Sequence, residues 1–150
     1  MVMTRDRPDL GVLLHRLTIA VSQRELPLLS AHQLHMWDYI VLGGLEHGPA
    51  PTQSQLAEAV GRDKTRLIQT LDRLEALTLL ERAPDPTDRR NRIVTLTATG
   101  TSVLAACRED IRAMESDLLA TLPTSERAAF IRNLVTLVES ESTRTDGGHT

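Results

Sequence analysis

Two short helical segments on either side of Gly61 most strongly constrain how this chain can fold. Thr52 and Gln55 form a capping-box pattern, which predicts a short helix that stops at Gly61. Asp63 is a favourable N-cap for a second helix that ends near Ala76. A short helix, a turn that contains glycine and a second helix together make a helix-turn-helix pattern. Since helical proteins contain many such corners, the pattern alone does not establish a function.

The second helix has one apolar and one polar side. Its apolar side carries Leu67, Leu71 and Leu74, with Ile68 at the edge. Its polar side carries Arg62, Thr65, Arg66, Gln69 and Arg73. Arginine suits guanine, glutamine suits adenine, and threonine suits a base methyl group or a phosphate, so this side fits a DNA major groove. The alternative is an ordinary solvated helix face.

A basic hairpin follows this helix and favours the DNA-binding interpretation. Strands are predicted at residues 80–83 and 92–96, because the second of these is rich in β-branched residues. Asp85 begins a turn of typical turn residues, and Arg89, Arg90 and Arg92 lie where that turn enters the second strand. Arginines on a protruding loop suit the narrow minor groove and its negative potential. A helix for one groove and a loop for the other predict a winged helix-turn-helix.

The remaining chain reads as helices around an aliphatic core. Only 2% of the 150 residues are aromatic although 41% are hydrophobic, so leucine, valine, isoleucine and alanine must fill the interior. Further helices are predicted at residues 9–25, 35–46, 98–121 and 124–141. Pro27 and Ser30 are expected to interrupt the chain after the first of them, and Thr97 and Thr124 to cap the last two. The predicted fold class is mainly α, with a small β-hairpin wing.

The charge distribution indicates a phosphate-binding surface inside an acidic chain. The net charge is −3, but residues 62–92 hold eight Arg or Lys and six Asp or Glu, a local charge of +2. No apolar run approaches the length of about 20 residues that a membrane span needs. No secretory signal is recognisable, and Cys107 is the single cysteine, so a cytoplasmic protein without disulfides is expected.

The predicted hairpin and the residues that follow it carry the pattern DxRxxxVxLTxxG, formed by Asp88, Arg90, Val94, Leu96, Thr97 and Gly100. A pattern close to this runs through the wing of the MarR family of bacterial transcription regulators, and the segment Leu56–Gly100 resembles the winged-helix core of that family. One departure follows the second helix, where Thr78 stands in place of the glycine usual in the family. Glycine favours the left-handed conformation at a helix C-terminus, so the departure leaves that helix end undetermined.

The resemblance implies roles for individual residues. Asp88 would orient Arg90, or another basic residue, rather than contact DNA itself. Thr52, Gln53 and Ser54 would hold a phosphate with main-chain N–H groups at the start of the first helix. The other predicted DNA contacts are Arg62, Lys64, Thr65, Arg66, Gln69, Arg73, Arg89, Arg90 and Arg92.

A homodimer is expected, since one helix and one wing cover few base pairs, and two copies can bind two half-sites. Residues 9–34 and 98–142 are assigned to a dimerisation region, residues 35–97 to the DNA-binding lobe, and residues 143–150 to a disordered tail. The alternative is that the apolar faces pack within one chain. The predicted dimer interface comprises Leu10, Leu13, Leu14, Leu17, Phe130, Leu134, Leu137 and Val138.

Many relatives in this family bind small aromatic or phenolic molecules that release DNA, so an effector is expected here as well. Candidate pocket residues are His15, Trp37 and Tyr39, although packing in the core or at an interface explains the two aromatic residues at least as well. His32, His35, Asp38 and His47 carry side chains that can bind a metal, but their spacing forms no zinc ligand set, and no metal is predicted. Cys107 lies in mid-helix and is expected to be a buried thiol without a sensing role.

The predicted function is that of a sequence-specific regulator of double-stranded DNA, a homodimeric repressor released from a palindromic operator by a small ligand. An enzyme is not expected, because the chain has no nucleophile elbow, no phosphate-cradling glycine loop and no recognisable pair of catalytic carboxylates. No catalytic residue and no cofactor are therefore predicted. The alternative function is a winged-helix module that binds another protein and has no operator of its own.

Overall fold

The computed structural model describes residues 7–146 and confirms a mainly α fold with a hairpin wing. In chain order the elements are α1 (Leu10–Ala31), α2 (Met36–Gly44), α3 (Gln53–Val60), α4 (Lys64–Ala76), β1 (Leu80–Pro84), β2 (Arg92–Leu96), α5 (Ala98–Leu119) and α6 (Thr124–Asp146). The chain divides into two compact units, one that ends at Ile111 and one that begins at Arg112. The division falls within α5, whereas the sequence predicts a boundary at its start. None of the helices described combines the length and hydropathy required to cross a membrane.

Helix α1 is longer than the sequence predicts. The expected interruption at Pro27 and Ser30 is wrong, because α1 continues through both residues to Ala31. A proline inside a helix removes one backbone hydrogen bond and costs about 3 kcal/mol. Here the apolar pattern continues beyond the proline, and Leu29 is completely buried. Burial of such a side chain contributes about 1.5–3 kcal/mol, which offsets most of that cost.

The core of the first unit is aliphatic, as the composition predicts. Helices α2, α3 and α4 pack on one another, and α1 and the hairpin pack against this group. The predicted apolar side of α4 is confirmed, since Leu67, Leu71 and Leu74 have no solvent exposure. The other side chains of this core with at most 2% exposure are Leu29, Leu34, Val41, Leu42, Leu45, Leu56, Leu80, Val94, Leu104 and Cys107.

The end of α4 is well formed although it lacks the usual glycine. Thr78 adopts the left-handed conformation itself, with a φ of 61°. Its N–H donates to the carbonyl of Glu75 (2.9 Å), and the N–H of Leu79 donates to the carbonyl of Leu74 (3.0 Å). These are the two bonds of a Schellman motif. The departure from the family pattern is therefore accommodated by a threonine that bears the backbone strain.

The two strands form an antiparallel hairpin that is bonded to the loop before α3. Leu80 lies opposite Leu96, and Pro84 lies opposite Arg92. The N–H of Ala50 donates to the carbonyl of Val94 (2.9 Å), and the N–H of Val94 donates to the carbonyl of Ala50 (3.0 Å). This pair of bonds attaches the base of the wing to the loop that leads into the helix-turn-helix.

Helix α5 begins at a tightly packed corner. The hydroxyl of Thr97 accepts the N–H of Gly100 (2.9 Å), which confirms the predicted cap, and donates to the carbonyl of Thr78 (2.6 Å). A Cβ atom on Gly100 would lie 1.8 Å from the carbonyl oxygen of Leu79. Glycine is therefore needed at position 100, because α5 starts directly against the backbone that joins α4 to β1.

The last helix also differs from the prediction. Thr124 is the first residue of α6 and not its cap, and the helix runs to Asp146 instead of ending near Glu141. Residues 143–146, predicted to be disordered, therefore belong to α6, and residues 147–150 lie outside the described part of the chain. Disorder is predicted from the polar composition of these residues, and polar composition does not distinguish a solvated helix from a disordered segment.

Candidate nucleic-acid interface

Helices α3 and α4 form the predicted helix-turn-helix. The hydroxyl of Thr52 accepts the N–H of Gln55 (3.0 Å), which caps α3. Gly61 ends α3 in the left-handed conformation, with a φ of 69°. The carboxylate of Asp63 then accepts the N–H of Arg66 (3.0 Å) and caps α4. Each predicted boundary residue therefore has a hydrogen bond or a backbone conformation that explains it.

The outward side of α4 presents polar side chains to solvent. Lys64, Thr65, Arg66 and Gln69 are all exposed. Arg66 pairs only loosely with its neighbour, since its Nε lies 3.5 Å from the Asp63 carboxylate and 72% of its side chain is exposed. Exposed ion pairs of this kind contribute little to stability. These four side chains can therefore contact base edges and phosphates without breaking a buried interaction.

The tip of the wing is ordered by two aspartates. Asp85 accepts the N–H and the hydroxyl of Thr87 (2.8 and 2.7 Å), and these hydrogen bonds lower the pKa of its carboxyl. The carboxylate of Asp88 accepts the backbone N–H of Arg90 (3.1 Å) and the Nε–H of the same residue (3.2 Å). The turn is therefore held by its own carboxylates, as short turns rich in aspartate commonly are.

The wing arginines nevertheless face solvent. The Arg90 side chain is 90% exposed although it bonds to Asp88, and Arg89 and Arg92 are exposed as well. The pairing of Asp88 with Arg90 that the family resemblance implies is present. The guanidinium of Arg90 is thus oriented by one side chain and remains accessible to an external phosphate or groove.

Arg82 joins the wing to α4, a role that the sequence analysis did not assign. Its guanidinium donates to Asp72 and Glu75 (2.6 Å each) and lies 3.4 Å from the amide oxygen of Gln53. Only 18% of the Arg82 side chain is exposed. Asp72 and Glu75 are three residues apart and therefore lie on one side of α4. This spacing, followed by Arg82 on the inward side of the next strand, is the sequence feature from which the contact could have been predicted. The Asp72 carboxylate, which the sequence places beside the polar side of α4, is consequently paired.

Two predicted DNA contacts are engaged with other side chains. Arg73 donates to the carboxylate of Asp38 (3.0 Å) and to the carbonyl of Gln33 (2.7 Å). The guanidinium of Arg62 stacks on the ring of Trp37, 4.2 Å from its centroid. The helical wheel places both arginines on the polar side but gives no information about α2. Long arginine side chains reach around the helix to a buried carboxylate and an aromatic face.

The remaining candidates at the start of α3 differ in exposure. Ser54 is exposed, whereas Thr52 and Gln53 are half-buried. Because Thr52 caps the helix and Gln53 lies near Arg82, their side chains have partners. A polar cleft of about 290 Å³ lies between α3, α4 and the wing, and it is lined by Gln53, Ile68, Glu75, Arg82 and Arg92.

The three candidate ligand residues lie in different surroundings. His15 is exposed on α1, the Trp37 ring is covered by Arg62, and the Tyr39 hydroxyl interacts with Arg108. None of them lines the polar cleft or a second cavity of about 310 Å³, which is lined by Ala31, His32, Gln33, Leu77, Leu79, Thr99 and Val103.

The histidines and the cysteine have local roles in the structure. The Nε2 of His32 lies 2.8 Å from the Asp110 carboxylate, and Asp38 accepts the backbone N–H of His35 (2.8 Å). Among the residues described, no three His, Cys, Asp or Glu side chains converge on a point where they could hold a metal ion. Cys107 is buried, as predicted, and burial raises the pKa of its thiol. A high pKa disfavours the reactive thiolate.

Comparisons with known proteins agree with this geometry. A family model described as MarR family matches residues 32–91, which contain α2, the helix-turn-helix and the wing tip. The transcriptional repressor NicR of Pseudomonas putida is 32% identical over 110 residues, which cover 73% of this chain and 69% of NicR. The transcriptional regulator HosA of Escherichia coli is 34% identical over 110 residues, which cover 73% of this chain and 78% of HosA.

Solved structures have the same fold. The transcriptional repressor CouR, bound to a 23-mer DNA duplex, matches with a TM-score of 0.79 at 29% identity, and the match covers 87% of this chain and 92% of CouR. PcaV of Streptomyces coelicolor, solved with its natural ligand, matches with a TM-score of 0.74 at 26% identity, over 94% of this chain and 99% of PcaV. With the helix-turn-helix, the wing and these relatives in agreement, the chain belongs to the MarR family of DNA-binding transcription regulators, which are not enzymes.

Proposed function

We propose that this protein is a homodimeric repressor that binds a two-fold symmetric DNA site in the bacterial cytoplasm. The observation that carries the proposal is that the polar side of α4 and the arginines of the wing are both exposed on the same compact unit. The acidic side chains beside them, Asp72 and Asp88, are paired with arginines. A helix of the size of α4 fits the major groove, and an arginine loop fits the minor groove. The relatives named as repressors support the negative direction of control.

The proposed contacts follow from which side chains are accessible. Thr65, Arg66 and Gln69 would contact base edges, and Lys64 would contact a phosphate. Main-chain N–H groups at the start of α3, near Thr52, Gln53 and Ser54, would hold a second phosphate. The wing would contribute Arg89, Arg90 and Arg92.

Exposed apolar side chains support the proposed dimer. On α1, Leu10 is 56% exposed, and Leu13 and Leu14 are also open to solvent. On α6, Leu137 and Val138 are exposed, and none of the side chains described on that helix is buried. Apolar faces of this extent commonly mark a protein interface. The predicted interface residues Leu17, Phe130 and Leu134 are half-buried and lie on the same two helices.

Selection of bound fragments from random duplex DNA tests the proposal. We expect an enriched palindrome whose half-sites lie about one helical turn apart, bound by two chains in a sedimentation experiment. Affinity should fall steeply with salt, because bound arginines and lysine release counterions from the phosphates. Enrichment of no sequence, with no salt-dependent binding, would contradict the proposal and favour a protein-interaction module.

A small aromatic effector is the second part of the proposal. PcaV was solved with its natural ligand, and the cavity of about 310 Å³ is large enough for a small molecule. Trp37 is the single tryptophan and stacks on Arg62 at the helix-turn-helix, so a ligand that reaches Trp37 or displaces Arg62 would change its fluorescence. Titration of phenolic acids should release the selected DNA, and a ligand that reaches Trp37 should also alter its emission. No release of DNA by any member of a broad panel would argue against a phenolic effector.

A further inference from the structure

We propose that Arg62 and Arg73 position the recognition helix and do not bind DNA. Two consecutive residues of α2, Trp37 and Asp38, hold these arginines at opposite ends of α4. The inference rests on the proposed DNA-binding function, and it reassigns two of the cations that sequence reasoning places on the DNA-binding side. We call the four residues Trp37, Asp38, Arg62 and Arg73 the α2 mount.

The ion pair at the end of α4 is built around a buried carboxylate. Asp38 is 2% exposed, and its Oδ2 accepts both the backbone N–H of His35 (2.8 Å) and the Nε–H of Arg73 (3.0 Å). The Nη2 of Arg73 donates to the carbonyl of Gln33 (2.7 Å) in the corner between α1 and α2. Loss of Arg73 would leave this buried carboxylate with the backbone N–H of His35 and, only when that side chain is protonated, with the His35 Nδ1 at 3.9 Å. Arg73 is the partner that always carries a charge, so its departure to a phosphate would leave the buried acid without a permanent counter-charge.

The contact at the start of α4 is a stacked cation. The guanidinium carbon of Arg62 lies 4.2 Å from the centre of the Trp37 ring, within the range of a cation–π interaction. The Nε of Arg62 is buried and has no hydrogen-bond partner, so this donor faces the protein and not the solvent. A guanidinium bound through its face in this way holds the turn between α3 and α4 against α2.

The two contacts bracket the DNA-reading residues. Arg62 lies two residues before α4, and Arg73 lies in its last turn. At 1.5 Å per residue, the part of α4 from Lys64 to Arg73 is about 14 Å long, and Arg62 precedes it by two residues. Lys64 and Gln69 lie between them, together with the rest of the exposed polar side. Since base contacts require the helix to sit at a fixed angle and depth in the groove, a mount at both ends sets the register of every base contact at once.

Salt dependence distinguishes a positioning arginine from one that contacts DNA. Affinity for the selected operator is measured at several salt concentrations for Arg73→Gln, Asp38→Asn and the matched control Arg66→Gln. We expect Arg66→Gln to reduce the salt slope by about two, one for each protomer of a dimer. Arg73→Gln should lower affinity about tenfold or more, comparable to the loss of a base contact, and leave the slope unchanged.

Asp38→Asn gives the sharper result. If net charge alone determined affinity, Asp38→Asn would strengthen DNA binding because it removes a negative charge. If the α2 mount positions α4, Asp38→Asn should instead weaken binding, as Arg73→Gln does. The double variant Asp38→Asn/Arg73→Gln should lose no more affinity than the weaker-binding single variant, because both changes break one interaction. Arg62→Gln should change Trp37 emission in the free protein and keep the parental slope.

Circular dichroism establishes that each variant is folded. If Arg73→Gln does not fold, Arg73→Lys keeps the charge but cannot bridge Asp38 and Gln33 with one planar group, so it should bind more weakly at an unchanged slope. A reduced slope for Arg73→Gln, parental affinity for Arg73→Lys, or undiminished binding by Asp38→Asn would overturn the inference while leaving the proposed function intact. Absence of salt-dependent binding by the parent protein would overturn the proposed function and this inference together.

Discussion

Replacement of Gly100 by alanine is expected to lower the melting temperature by roughly 6–12 °C, or to prevent folding. The added Cβ would lie 1.8 Å from the carbonyl oxygen of Leu79, which is backbone and has no rotamer to change. Either α5 or the turn before β1 must shift, at the expense of the Thr97 cap. We expect a loss of at least about 3 kcal/mol, as for severe overpacking in a core, and each kcal/mol corresponds to about 2–4 °C for a chain of this size. Thermal unfolding followed by circular dichroism measures the effect.

Gly11 supplies the matched control for this substitution. Gly11 lies in α1, and a Cβ on it would meet no atom within 4 Å. Gly11→Ala should therefore keep or raise the stability, by up to about 1 kcal/mol from the better helix propensity of alanine. Equal effects of the two substitutions, or an unchanged melting temperature for Gly100→Ala, would show that the close approach of α5 to Leu79 is not a constraint.

The double variant Arg89→Ala/Arg90→Ala is expected to lose roughly a thousandfold in operator affinity, at about 1 kcal/mol for each of four contacts in a dimer and about 1.4 kcal/mol for each factor of ten. Asp88 would also be left without the Arg90 side chain, so an unpaired acid would face the DNA. The salt slope should decrease by about three to four, since four cations are removed from the dimer. Fluorescence anisotropy with labelled operator at several salt concentrations measures both quantities.

Two further variants separate charge from sequence recognition. Arg89→Lys/Arg90→Lys keeps both charges, so its salt slope should match that of the parent protein. Gln69→Ala removes no charge and should mainly change which bases are selected at one position of each half-site. Parental affinity for the double alanine variant would show that the wing does not contact the operator.

Local patterns predict much of this fold because local physics decides it. The caps at Thr52, Asp63 and Thr97 depend on residues within three positions, and each forms its hydrogen bond. The buried side of α4 follows from its 3.6-residue period. The failure at Pro27 is also instructive, since the proline is a local signal that the burial of Leu29 overrides.

The partners of individual arginines could not be predicted in the same way. Arg73 pairs with Asp38, 35 positions earlier in the chain, and Arg62 stacks on Trp37, 25 positions earlier. Helical periodicity states which side of α4 a residue lies on, but it does not state which side chain of another helix lies within reach. The sequence therefore predicts the polar surface of the candidate site. Only the structure shows which of its cations are exposed and which are bound to other side chains of the protein.

Two backbone hydrogen bonds between Ala50 and Val94 fix the wing to the start of α3, so that the two should move together. Thr52, which caps α3, lies only two residues beyond Ala50, and Val94 lies in β2, which begins at Arg92 directly after the turn that carries Arg89 and Arg90. A tilt of the hairpin should therefore also move the N–H groups at the start of α3, for which we propose contact with the duplex backbone. A change in minor-groove width should consequently be sensed at the first turn of α3, although no side chain there reaches a base.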